Sequence, residues 1–312
     1  MNIGIIGTGF AARRIISILS KLNNNFEFNI YSNRKNIFNN KKKIKVYSLK
    51  KITKFKETFF FIANNTSEHF KYLKLLIKKN KNVYVEKPIC SKKNEAMDLQ
   101  KCLKKSNSKV VVGYQFRENL CIKYLKKIVK KERIKIISVF AYSGENVKFY
   151  HKKENYINSY SVSKKKGGGV VLTQSHQIDY LNYIFGKILL CRSLESDNSK
   201  KFKLKTNTEN NVSYLLKTLD GILISANLNY FGRKKTFIQI EMLNKTIIWS
   251  NNDNSILISK NKIKKIIKFK QSREDMFRRR IKKFLSLSKI SINDNDLFST
   301  ILLIDKIKKN YL

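Results

Sequence analysis

A short apolar run, Asn2-Ile3-Gly4-Ile5-Ile6, passes directly into Gly7-Thr8-Gly9-Phe10-Ala11-Ala12, and the residues that follow space their apolar side chains as a helix does up to Leu19. Few local patterns constrain a fold as tightly. Strand, glycine turn and helix in this order make the G-x-G-x-x-A form of a dinucleotide-binding fingerprint. Gly7 permits the tight turn, Gly9 lets a pyrophosphate approach the backbone, and Ala12 is small enough for the helix to pack closely on the strand. The helix start adds free N–H groups and the positive end of its dipole.

Strands and helices then alternate. Residues 26–31, 43–47, 58–63, 82–86 and 109–114 read as strands, and 67–79 and 91–105 as helices whose apolar faces carry Phe70, Leu73, Leu76 and Ile77, then Ala96, Leu99 and Leu103. Such alternation predicts a doubly wound parallel sheet, an α/β first domain over residues 1–118. The pattern changes afterwards. A helix over 120–131 and a strand over 134–142 lead into an irregular stretch, 143–166. Strands at 212–219 and 222–230 flank Asp220-Gly221, a strong hairpin signal, and further strands run over 237–269 with turns near Asn244-Lys245 and at 251–254. Helices over 273–287 and 294–310 complete an α+β second domain, 119–312, built on a largely antiparallel open sheet.

The formal charge of +44 invites a nucleic-acid reading. Lysine, however, appears in nearly every helix and loop and forms no stripe, and no aromatic-basic motif accompanies it. A solvated basic surface is expected, with no specific nucleic-acid partner and with polyanion binding that salt abolishes. No apolar run approaches the ~20 residues needed to span a bilayer, and the first residues lack a basic leader, so no membrane partner and a cytoplasmic location are expected. Cys90, Cys102, Cys121 and Cys191 show no C-x-x-C spacing, and His69, His151 and His176 show no zinc-type pairing. Reduced thiols and no metal are expected.

Two further motifs carry chemistry. The one proline of the chain, Pro88, follows Glu86-Lys87 at the end of the strand over 82–86, the edge where doubly wound sheets bind ligands. Gly167-Gly168-Gly169 opens Val170-Val171-Leu172-Thr173-Gln174-Ser175-His176-Gln177-Ile178-Asp179, in which His176 and Asp179 share one side of a helix. Glycines ahead of a helix are read here as a ligand seat.

Together G-T-G-F-A-A at 7–12, Ile62-Ala63 with downstream His69, V-Y-V-E-K-P at 83–88, V-G-Y-Q-F-R at 112–117 and G-G-G followed by H-x-x-D at 167–179 resemble the glucose-fructose oxidoreductase, inositol dehydrogenase and rhizopine-catabolism (Gfo/Idh/MocA) family. The stretch 156–169 also looks like members associated with surface-polysaccharide and sugar modification. The resemblance implies reversible hydride transfer between a nicotinamide and a sugar, polyol or nucleotide-sugar carbinol. It implies Lys87 and His176 as the catalytic pair, brought from the two domains onto one substrate hydroxyl, and Lys87, Arg117, Thr173, His176 and Asp179 as substrate contacts. It also implies a homo-oligomer through the second domain's sheet. Relatives commonly carry an aspartate where Thr173 stands. A hydroxyl is no general base at neutral pH, which leaves open a nucleotide-binding or regulatory protein without turnover.

The candidate cofactor contacts are Gly7, Thr8, Gly9, Phe10, Ala11, Ala12, Ser32, Arg34, Asn64, His69, Glu86 and Lys87. An NAD site usually places a carboxylate about 20 residues past the glycines. Here Tyr31-Ser32-Asn33-Arg34-Lys35 offers none, whereas Ser32 and Arg34 suit a 2′-phosphate. The cofactor is therefore NADP or NAD, with NADP favoured.

Overall fold

Ile3, Ile5 and Ile6 of the first strand, β1 (Asn2–Ile6), are fully buried, as the near-continuous apolar runs of parallel strands require. The computed structural model describes residues 1–33, 43–54, 56–150, 155–286 and 294–309. By its internal contacts the chain divides into two units, Met1–Gln115 with Arg273–Ile301 and Phe116–Ser272 with Leu302–Leu312.

In the first unit β1 is followed by α1 (Phe10–Leu22), β2 (Glu27–Tyr31), β3 (Ile44–Tyr47), β4 (Phe59–Ile62), α2 (Thr66–Lys78), β5 (Asn82–Val85), α3 (Lys93–Lys104) and β6 (Val110–Val112). The six strands are parallel in the order β3-β2-β1-β4-β5-β6, the dinucleotide-binding order with its switch point beside β1. The carboxyl ends of β1, β4 and β5 thus lie side by side, with Ile6 paired to Ile62 and Ile62 to Val85.

The core of this unit holds a surprise. Ile15, Ile18 and Leu19 of α1 pack on Ile3, Ile5, Phe28 and Ile30, and the same core takes in Phe277, Ile281 and Phe284. These come from α7 (Arg273–Leu285), which the sequence reading assigns to the second domain. The Phe284 ring meets Phe59, Phe61 and Tyr84 edge-on at 5.5, 5.2 and 5.9 Å. Arg280 Nε donates to the Val112 carbonyl at 3.1 Å. The spacing of Met276, Phe277, Ile281 and Phe284 marks an apolar helix face but says nothing about which surface it covers.

The second unit contains α4 (Leu120–Lys131), β7 (Ile136–Gly144), α5 (Val170–Thr173), α6 (Ser175–Phe185), β8 (Ile188–Glu195), β9 (Asn211–Thr218), β10 (Leu223–Asn229), β11 (Lys235–Met242), β12 (Lys245–Ser250), β13 (Ser255–Lys260) and β14 (Ile263–Lys268). Its eight strands run β14-β13-β12-β11-β7-β10-β9-β8, antiparallel except for β7 beside β10. The hairpin at Asp220-Gly221 joins β9 to β10, and Gly221 takes the left-handed φ of +93° that such a turn needs. β8, an edge strand, escapes the sequence reading. α6 covers one face, where Trp249, Tyr214, Ile238, Ile240 and Leu228 are buried. The opposite face exposes Phe140, Leu215, Leu223 and Leu190. α8 (Asp294–Lys309) closes the chain, with the division between units falling within it.

Among the described residues no helix is long and apolar enough to cross a membrane, and no group of three ligating side chains is placed to hold a metal. The four cysteines are free thiols.

Candidate functional site

At the end of β1 the two fingerprint glycines do different work. Gly7 is held between neighbours: its N–H donates to the Tyr31 carbonyl at 3.2 Å, its φ is +111°, and a Cβ there would lie 2.6 Å from the Ala63 carbonyl oxygen. Gly9 has ordinary backbone angles, and a Cβ there would meet nothing within 4 Å. The space that a Cβ would enter is open, at the first turn of α1. That turn has no side-chain cap and no acidic residue, so its dipole favours an anion there. Ala12 is wholly buried and Thr8 is 6% exposed, whereas Ala11 is half-buried and Phe10 exposed.

The ends of β4 and β5 supply polar atoms beside this turn. Asn64 Oδ1 and Glu86 Oε1 are both buried with no hydrogen-bond partner among the described residues. A buried acceptor without a donor costs about 1–3 kcal/mol, and the hydroxyl and amide groups of a dinucleotide are donors of the required kind. Burial raises the Glu86 carboxyl pKa, and Arg14, Lys87 and Arg273 pull against it.

Lys87 follows, half-buried, and Lys87-Pro88 is a cis peptide. Burial lowers the lysine's pKa to about 8. Glu86 opposes that shift, and Arg273 and Arg14 add to it. An amine in this range both gives and takes a proton near neutral pH. Arg14 is itself sandwiched, its guanidinium carbon 4.6 Å from the centre of the Phe10 ring and 4.4 Å from that of Phe277.

His69, on α2, is 1% exposed, with Nδ1 2.8 Å from the Pro88 carbonyl and Nε2 3.2 Å from the Asn64 carbonyl. Burial lowers its pKa to about 4 despite both carbonyls. The neutral ring has one N–H, which belongs on the shorter contact to Pro88. His69 therefore pins the segments that carry Asn64 and Lys87 and is too enclosed to be the direct cofactor contact its motif suggests. Ser32 is half-buried, its N–H bonded to the Tyr47 carbonyl at 3.0 Å. Arg34 lies outside the described residues.

In the second unit several expected contacts turn out to be internal. Asp179 is fully buried, with Arg117 Nε 3.1 and 3.0 Å from its two oxygens and Nη2 2.6 Å from Oδ1. Arg117 is 8% exposed, so the pair lies in the interior of the unit. Thr173, 7% exposed, lies 2.9 Å from the Tyr230 hydroxyl, which is also 2.9 Å from the Ser161 carbonyl. The Tyr230 hydroxyl is the donor toward both the Ser161 carbonyl and the Thr173 hydroxyl oxygen. Thr173 is thus a packing residue.

The triple glycine is no ligand seat either. The N–H groups of Gly168 and Gly169 donate to Ser163 and Ser161 carbonyls at 2.9 Å each. A Cβ on Gly168 would sit 2.2 Å from the Tyr160 carbonyl oxygen, and one on Gly169, at φ +106°, 2.2 Å from Glu209 Oε1. Chain packing, and not a ligand, requires glycine at both positions. His176 is half-buried, its ring 5.2 Å from that of Phe116.

The sequence reading misses four residues with a claim on the chemistry: Arg14 and Arg273, which bear on Glu86 and Lys87, and Gln174 and Tyr150. Gln174 adjoins the Ser-His start of α6. Tyr150 lies in the irregular stretch 143–166, where no periodicity singles it out.

Comparison with known proteins agrees with this geometry. Residues 1–114 match the model of the oxidoreductase family with an NAD-binding Rossmann fold (GFO_IDH_MocA). Oxidoreductase P35 of Formosa agariphila is 29% identical over 176 residues, which are 54% of this chain and 52% of that protein. The chain thus spans about half the length of that relative. A levoglucosan dehydrogenase solved with NADH superposes with a TM-score of 0.84 at 14% identity, over 99% of this chain and 96% of its own. The WlbA dehydrogenase of Bordetella pertussis, solved with NADH and UDP-GlcNAcA, gives 0.79 at 14% identity, over 99% and 95%. At such identities the likeness is one of fold.

Proposed function

We propose that the chain, whose residues 1–114 match the model of the oxidoreductase family with an NAD-binding Rossmann fold, acts as an oxidoreductase of the Gfo/Idh/MocA type and transfers a hydride between a nicotinamide cofactor and a carbinol carbon of a sugar, polyol or nucleotide sugar, in the cytoplasm, with Lys87 and His176 handling the proton. The observation that carries this reading is Lys87, held at the end of β5 beside Glu86 with its pKa lowered to about 8. The bound nicotinamide supplies a two-electron acceptor or donor at its C4. Lys87 takes the hydroxyl proton as the carbinol becomes a carbonyl, and returns it in reduction. His176 orients the reacting oxygen. Gly9 and the uncapped start of α1 hold the pyrophosphate, and Asn64 and Glu86 accept from the donors of the dinucleotide. Ser32 with Arg34, and no carboxylate at the end of β2, support NADP over NAD.

The test is turnover, followed by nicotinamide absorbance, with NADP and NAD against D-glucose, myo-inositol and UDP-glucose and the corresponding carbonyl compounds, alongside cofactor binding. Turnover that Lys87→Ala removes with cofactor affinity retained supports the proposal. Cofactor binding without turnover across the panel favours the regulatory alternative.

A further inference from the structure

Gln174, the residue just before α6, presents its side-chain amide to two oxygens at once: Nε2 is 2.9 Å from the Asn229 carbonyl and 2.9 Å from the Tyr150 hydroxyl. The orientation of that amide is fixed by chemistry. A backbone carbonyl only accepts, so the NH2 end must face Asn229, and a flipped amide would set two acceptors against each other. The second N–H therefore points at Tyr150, whose oxygen accepts it. The phenolic proton of Tyr150 is then directed elsewhere, and among the described residues it has no acceptor.

The surroundings keep that proton in place. The Tyr150 ring meets the Tyr230 ring edge-on at 5.9 Å, and Tyr230 is itself held by Ser161 and Thr173. Burial pushes the Tyr150 phenol above its ordinary pKa, so at neutral pH it is a donor and not an anion. The residue as a whole is half-buried. Gln174 Oε1 is a second buried atom of this group with no partner. His176 is two residues further along the same helix start.

We propose that Tyr150, positioned by Gln174, is a substrate-contacting hydrogen-bond donor that recognises an oxygen atom of the carbohydrate. Gln174 acts through Tyr150 as a positioning residue. The assignment rests on the proposed carbohydrate oxidoreductase activity and deepens it, since a donor with no acceptor among the described residues selects for ligands with an oxygen at that point and against deoxy analogues. A hydrogen bond of this kind, lost with its partner left unpaired, corresponds to roughly a 10- to 100-fold loss.

The experiment compares wild type, Tyr150→Phe, Gln174→Met and the double variant, using whichever of D-glucose, myo-inositol and UDP-glucose wild type turns over fastest. Expected are a 10- to 100-fold lower kcat/KM in Tyr150→Phe, an unchanged cofactor Kd, and a double variant little worse than Tyr150→Phe alone. Full kcat/KM in a folded Tyr150→Phe overturns the assignment while leaving the oxidoreductase reading intact. Wild type without turnover on any of the three sugars overturns both. A second readout needs no altered polarity: 3-fluorotyrosine placed at position 150 should shift its ¹⁹F resonance on addition of the same sugar to the cofactor-loaded protein. An unmoved resonance at saturating sugar also overturns the assignment.

Discussion

Arg117 and Asp179 form a buried clamp in which Nε and Nη2 of the guanidinium engage both carboxylate oxygens at 2.6–3.1 Å, with Asp179 inaccessible to solvent. It ties the segment before α4 to α6, the helix that carries His176. The His-x-x-Asp spacing suggests a functional pair, but the partner of Asp179 lies 62 residues earlier in the chain.

Removing one member of a buried ion pair strands the other. Asp179→Ala is expected to cost about 3–5 kcal/mol of stability, read as a lower denaturation midpoint. Replacing both members, Arg117→Met with Asp179→Leu, should recover much of that loss. A folded Asp179→Ala with normal stability and a raised KM would instead make Asp179 a substrate contact.

The two glycines of the turn should fail differently. Gly9→Val places its side chain in open space, so the fold should keep its melting temperature while cofactor affinity falls by an order of magnitude or more, to about one tenth or less. Gly7→Ala forces a Cβ against the Ala63 backbone at an unfavourable φ and should lower the melting temperature itself. Calorimetry with and without NADP separates the two.

Lys87 gives the pH dependence its sign. Oxidation of the carbinol needs the free amine, so kcat/KM in that direction should rise through a pKa of about 8 and level off above it, while the reduction rate falls over the same range. Stability follows from linkage. The folded pKa is below the ordinary lysine value of 10.5, the unfolded chain binds more protons between about pH 8 and 10.5, and folding is therefore favoured as pH rises through that window. Lys87→Met should abolish turnover and leave stability at pH 7 unchanged or higher. A bell-shaped or flat profile unaffected by this substitution would remove Lys87 from proton transfer.

Phe284 tests the unexpected place of α7. Phe284→Ala opens a cavity among Phe59, Phe61 and Tyr84 and should cost about 3–5 kcal/mol. Hydrogen exchange should show the loss of protection in β4 and β5.

The proposed preference for NADP is tested at Arg34. Arg34→Ala should weaken NADP by roughly ten-fold or more while sparing NAD, as expected of a charge-assisted phosphate contact. Equal losses with both cofactors would assign Arg34 to the general basic surface.

What the sequence determined by itself was whatever depends on neighbours along the chain. Apolar runs, turns and helical spacing placed the strands and their order class. Because parallel strands put their carboxyl ends on one edge, Gly7, Gly9, Glu86 and Lys87 fall at one end of the sheet by sequence order alone. Tertiary structure decided everything that depends on a partner far away. Gly168, Gly169, Thr173 and Asp179 carry the same letters whether they meet a ligand or the protein's own interior. Contacts with Tyr160, Glu209, Tyr230 and Arg117 make them interior. The apolar face of α7 could have covered either sheet, and shape complementarity around Phe284 selected the first. Local periodicity records which side of an element is apolar, whereas burial and hydrogen-bond partners are properties of the packed chain.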